Sequence, residues 1–115
     1  GVDGYGIGEY LLYYFKKDSP RIHTISVSNG YVKSEKAWQN NSRVKKLKLY
    51  INNEPYAILN LKDTRHTQDF KTKLLGRLES GEEMILKFEI VEVFEGEKYE
   101  DTVISEIFFD GIDVH

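Results

Sequence analysis

From Arg43 to Asn60 the chain reads RVKKLKLYINNEPYAILN, two apolar stretches separated by an Asn-Asn pair. Leu47, Leu49 and Ile51 precede the pair on every second position, and Ala57, Leu59 and Leu61 follow it in the same way. Alternation of period two puts one face of a strand in the core and the other in solvent. Asn tolerates the positive φ angles of a tight hairpin turn, so these stretches are expected to pair antiparallel across Asn52-Asn53. The step from Val44 to Leu47 breaks the period, and a β-bulge at Lys45-Lys46 would return Val44 to the buried face.

Nearly all of the remaining chain follows the same rule. Tyr10 to Phe15 is a continuous apolar and aromatic run, expected to be a strand covered on both faces. Ile25 and Val27 alternate with Ser26 and Ser28. A strand is expected from Phe70 to Leu75, with a turn at Ser80-Gly81. Between Glu83 and Phe94, Leu86, Phe88 and Ile90 alternate and then Val91 and Val93 fall out of phase, as in a long kinked strand. A last strand is expected from Val103 to Phe109, ending at Asp110-Gly111. Pro20 and Pro55 stand where strands begin, a position a sheet tolerates. The best helical candidate, Lys33 to Asn40, has too few apolar residues to dock firmly. Strands with turn signals at this spacing describe an all-β sandwich or barrel.

With 115 residues, the chain has enough material for one core and is read as a single domain, 1–115. Eight Tyr and six Phe suit pleated, half-buried surfaces. A net charge of -3 gives no general attraction to nucleic acid, and no apolar run approaches the roughly 18 residues of a membrane insertion. The absence of Cys removes disulfides, thiolate nucleophiles and Cys-ligated zinc. The opening GVDGYGIGEY has neither the basic start nor the apolar stretch of a signal peptide, and reads as a piece of something larger.

Four stretches in order, GYGIGEYLLYYF, NGYVKSEKAWQNNSRVKKLKLYI, LNLKDTR and KYEDTVISEIFF, together resemble the discoidin-like, galactose-binding-like domains. Within that group they are most similar to the glycan-binding domain associated with secreted NAD-hydrolysing enzymes and appended to many bacterial envelope proteins. The resemblance implies an antiparallel jelly-roll β-sandwich. Such domains begin with another strand and an acidic, Gly-containing loop upstream of Gly1, so this chain is expected to lack its N-terminal strand and to expose a sheet edge open to self-association. It also implies a non-catalytic, extracytoplasmic accessory module, secreted or at the cell envelope, whose partner is a glycan or cell-surface polysaccharide. The other class of reading is a structural or protein-interaction sandwich with no sugar ligand.

The residue chemistry offers candidates for such a site. Trp38, the only Trp, lies in an Asn-rich segment with Tyr31, Asn40, Asn41 and Arg43. An indole presents an apolar face to a pyranose ring, and amides and guanidinium give directed hydrogen bonds to hydroxyls. The same residues also have a plain reading, with Trp38 folded over the core edge and the amides shaping the backbone. Asp63 and Arg65 follow a strand end, where Asp63 can fix a turn and Arg65 can fork onto Glu106 or Asp101 or onto a ligand. Glu106, amid apolar neighbours, is expected to pair with Arg43 or Arg65.

No catalytic residue and no cofactor is read from the chain. The oxygen-rich stretch from Tyr99 to Glu106 admits a structural Ca²⁺, although it has no EF-hand spacing. His23, His66 and His115 lack metal-ligand spacing. The glycines of GYGIG are not framed by a strand and a helix, which excludes a dinucleotide fingerprint. The basic cluster at Arg43 to Lys48 reads as the solvated face of a strand rather than a phosphate track.

Overall fold

A computed structural model describes residues 7–28, 42–76, 78, 80–96 and 106–112, with Ile112 described through its backbone. Its strands are β1 (Tyr10–Phe15), β2 (Arg21–Ser28), β3 (Arg43–Ile51), β4 (Glu54–Asn60), β5 (Gln68–Leu75), β6 (Met84–Phe94) and β7 (Glu106–Ile112). Two antiparallel sheets result, with strand orders β1-β6-β3-β4 and β5-β2-β7.

The inward residues of both sheets form one core. Val44, Leu47, Leu49, Leu59, Met84, Leu86 and Phe88 come from the larger sheet, and Ile22, Ile25, Val27, Leu75 and Ile107 from the smaller. Phe109 of β7 crosses between the layers, with its ring edge-on to Tyr13 and Phe15 of β1 at centroid distances of 5.0 and 5.1 Å. Of the sandwich and the barrel that the alternating pattern admits, this is the β-sandwich.

The hairpin forms as expected. Asn52 and Asn53 have φ of 46° and 69°, and Leu47 and Leu49 face Leu59 and Ala57. Asn52 also has a second role. Its Oδ1 accepts from the Ile85 N–H at 2.7 Å and its Nδ2 donates to the Glu83 carbonyl at 3.1 Å, so the turn is bonded to the start of β6.

The two breaks of period read in β3 and β6 face one another. Val44 pairs with Val93, Lys46 with Glu92, and Leu47 with Ile90, so Lys45 is the extra residue on one strand and Val91 on the other. The carbonyl of Lys45 accepts from Leu61 N–H at 2.8 Å, tying the bulge to the chain that leaves β4.

Three expectations are corrected. β1 is not covered on both faces: Leu11, Tyr13 and Phe15 turn inward while Tyr10, Leu12 and Tyr14 are exposed, because among the described residues the second layer packs on one face of this sheet. The strand at Phe70 starts two residues earlier, at Gln68. β7 continues through Asp110-Gly111 to pair with Ile22 and Arg21, and a Cβ at Gly111 would collide with the Arg21 carbonyl. That glycine permits close strand approach rather than ending the strand. The helical candidate Lys33 to Asn40 lies outside the described residues.

Candidate functional site

Sheet register decides which parts of the chain meet. Ser28 faces Glu106 and Val27 faces Gln68 in the smaller sheet, while Arg43 faces Phe94 and Lys46 faces Asn60 in the larger. The end of β2, the start of β3, the end of β4, the start of β5, the end of β6 and the start of β7 therefore share one end of the sandwich. From these strand ends depart the segments 29–41, 61–67 and 95–105, which contain Tyr31, Trp38, Asn40, Asn41, Asp63, Arg65 and Asp101. Four of the described strand ends frame segments 29–41 and 97–105, whereas Tyr31, Trp38, Asn40, Asn41 and Asp101 themselves lie outside the described residues.

The floor of this end is an ion pair. Arg43 is only 7% exposed, and its Nε and Nη2 donate to the two carboxylate oxygens of Asp63 at 3.0 and 2.9 Å. A bidentate, charge-assisted fork fixes both direction and distance, so it ties the first residue of β3 to the turn after β4. Among the described residues the carboxylate on Arg43 is therefore Asp63, and not Glu106 as expected. Glu106 opens β7 in the other sheet with its side chain exposed, where solvent satisfies a carboxylate without a cation. Beside the fork, Ser42 is fully buried and its Oγ accepts from Gly96 N–H at 3.2 Å, holding the exit of β6.

The 61–67 turn is held by its own polar groups. The Gln68 side-chain amide bonds Lys62 twice, accepting from the N–H at 2.8 Å and donating to the carbonyl at 2.9 Å. Thr64 Oγ1 accepts from the His66 N–H at 3.3 Å. Arg65 is exposed on this turn, at the same end as the fork. A shallow hollow of about 300 Å³ opens alongside, lined by Asn60, Lys62, Gln68, Asp69 and Phe70. Within it Asp69 is oriented by the Ser26 hydroxyl, which donates at 2.6 Å.

The hollow was not legible in the sequence. Asn60, Lys62 and Asp69 are ordinary strand-end residues until the register of β4 and β5 brings them together. The sole textual signal is the trio of amide and charged residues around DTRHT, Asn60, Lys62 and Gln68. Among the described residues no group of three or more His or acidic side chains is placed to hold a metal ion, and the Tyr99-to-Ser105 part of the Ca²⁺ candidate lies outside them.

Chemically, the end offers rigid polar positions over a buried ion pair, together with a half-buried aromatic edge at Phe70. It presents hydrogen-bond donors and acceptors to a wet, polar ligand. In comparison with known proteins, the family model described as the NAD glycohydrolase translocation F5/8 type C domain matches residues 1–110. No curated protein and no solved structure matches the chain.

Proposed function

The chain belongs to the family of NAD glycohydrolase translocation F5/8 type C domains, and on that premise we propose that it is a non-catalytic glycan-binding accessory module that works outside the cytoplasm. The observation that supports this reading most is the common end of the sandwich. Register gathers there the strand ends leading to Trp38 and Tyr31, to Asp63 and Arg65, and to Asp101. Trp38 and Tyr31 supply stacking faces. Asn40, Asn41 and Arg65 donate to hydroxyls, and Arg43, already forked onto Asp63, sets the floor on which they stand. Asp101 and Glu106 are acceptors at the rim. The jelly-roll strand order implied by the family is part of the same proposal.

A shallow, wet site of this kind binds weakly, because sugar and side chains must both be ordered. Attachment to a larger protein raises the effective concentration at the target surface and makes weak binding sufficient. A translocation-related role fits that logic: the module would hold a covalently linked protein near a glycan-coated surface, with no chemistry of its own.

The test is a broad glycan array with the wild-type chain, Trp38→Ala and Arg65→Ala, all matched for folding by circular dichroism. Binding to one sugar class that is lost in Trp38→Ala and weakened in Arg65→Ala is the expected result. Binding that survives both substitutions moves the site elsewhere, and no binding to any glycan removes the carbohydrate reading for this chain. A protein-contact role is favoured by one separate observation, the exposed row Tyr10, Leu12 and Tyr14 on β1.

A further inference from the structure

Among the described strands four stand at the rims of the two sheets, and three of them carry the residues that discourage pairing with another chain. β4 has Glu54 and Pro55, β5 has Asp69, Lys71 and Lys73, and β7 has Glu106 and Asp110. Charges and prolines on a rim strand block the addition of a further strand. β1, YLLYYF, has neither. Its outward side chains are large and apolar, with Tyr10 56%, Leu12 41% and Tyr14 66% exposed.

Among the described residues, the outer backbone of β1 is equally open. Ile90 exchanges bonds with the bulge at Gly8 and Glu9, accepting from Gly8 N–H at 2.8 Å and donating to the Glu9 carbonyl at 2.9 Å. Bonded and non-bonded pairs alternate along an antiparallel ladder, so Leu11, Tyr13 and Phe15 bond to β6. The N–H and C=O groups of Tyr10, Leu12 and Tyr14 then point away from the sheet.

We infer that two copies of this chain pair antiparallel through β1, about a two-fold axis at Leu12, joining their larger sheets into one. The charges that bracket the strand select this occupant. Glu9 precedes β1 and Lys16 and Lys17 follow it, all exposed. Antiparallel pairing sets the acidic end of each copy beside the basic end of the other, whereas parallel pairing would set like against like. Tyr10, Leu12 and Tyr14 of the two copies meet on the outer face, next to the fixed platform formed by Lys87 over the Tyr50 and Tyr10 rings at 4.4 and 5.4 Å. A two-fold axis of this kind is isologous and closes after two copies. It points the two loop-bearing ends in opposite directions, an arrangement for bridging two surfaces.

Sedimentation velocity over a concentration series, combined with amide hydrogen exchange, tests the pairing. The expected result is a monomer–dimer equilibrium in which Leu12 and Tyr14 amides gain protection as the dimer forms. Leu12→Lys, at an exposed position, places two ammonium groups near the axis and is expected to raise the dissociation constant about tenfold or more. Glu9→Lys should weaken the dimer, and Glu9→Lys combined with Lys16→Glu and Lys17→Glu should restore it. A chain that stays monomeric at all concentrations overturns the inference, and if its Leu12 and Tyr14 amides are nonetheless protected, a segment of its own chain covers the edge. A dimer indifferent to Leu12→Lys and Glu9→Lys also overturns it, because association then uses another surface.

Discussion

At the scale of single residues, the fork between Arg43 and Asp63 sets the candidate site on a fixed base. Its worth follows from asymmetry. Arg43 is almost wholly buried, and removal of its carboxylate leaves a cation short of solvent. Asp63 is partly exposed, which reduces the penalty for the pair as a whole. Asp63→Ala is expected to lower stability by about 1–3 kcal/mol, read as a shift in the urea midpoint with an unchanged slope. Arg43→Lys should not rescue the arrangement, since an ammonium cannot fork; a midpoint equal to wild type in either variant would contradict this role. The sequence made both residues candidates, but it set Glu106 against Arg43 or Arg65 and did not set Asp63 against Arg43. The acidic residues near position 100 are as close in composition as Asp63, and only the register of β3 against β4 brings the latter into reach.

Tyr13 gives a second residue-scale prediction. Burial raises its phenol above the ordinary value of 10.0, because the phenolate would lose solvation. The folded chain therefore holds that proton more tightly than the unfolded chain. Its stabilising effect is complete below pH 10 and is lost as the pH climbs through the raised folded value. Tyr13→Phe should match wild type more nearly at neutral pH than above pH 10, where it should retain more of its stability. Denaturant midpoints at the two conditions measure the difference, and parallel losses in both proteins would count against it.

At the scale of elements, the pattern of apolar residues was a reliable guide wherever one face of a strand is buried. It located the hairpin, the bulge of β3 and the phase break of β6, and the turn expected at Ser80-Gly81 forms with a φ of 76° at Gly81. It misjudged β1, because an uninterrupted apolar run looks the same in a buried strand and in a rim strand awaiting cover. It also ended β7 early, since Asp-Gly commonly marks a turn and nothing local says that Gly111 is needed for closeness to Arg21. The hairpin separates two functions of its Asn residues. Asn53→Gly should be neutral or stabilising, as glycine accepts the same positive φ. Asn52→Gly keeps the turn geometry and the backbone bond to the Ile85 carbonyl but loses the side-chain bonds to the Glu83 carbonyl and the Ile85 N–H, and should cost about 1–2 kcal/mol. Thermal unfolding of the two variants side by side checks the contrast; equal effects would mean that the turn alone matters.

For the whole molecule, the layers depend on a few residues that cross between them. Phe109 touches Tyr13, Phe15 and Phe88 from the opposite sheet. Phe109→Ala is expected to cost about 2–4 kcal/mol, more than Phe108→Ala, whose ring is 52% exposed on the same strand. A urea titration of both variants reads the order, and a larger loss for Phe108→Ala would reverse the assignment of faces. Long-range facts of this type are the least legible in a sequence. That the chain would be all-β follows from alternation, but stacking in two layers and the convergence of strand ends follow from pairing order.

The facing irregularities of β3 and β6 have one more consequence. Arg43 and Val44 face Phe94 and Val93 before them, and Leu47 and Leu49 face Ile90 and Phe88 after them, with the same offset on both sides. Each extra residue cancels the other. Loss of Lys45 alone would leave Val44, Lys46 and Leu47 in plain alternation, and loss of Val91 alone would do the same for Ile90, Glu92 and Val93, with one extra residue still taken up by the opposite strand. Loss of both would leave an unbroken ladder with Val44 and Leu47 still inward. Neighbours in space, the two positions are thus separable in heredity: a lineage can shed them one at a time, and each single deletion is a stepping stone that keeps the core side chains inward.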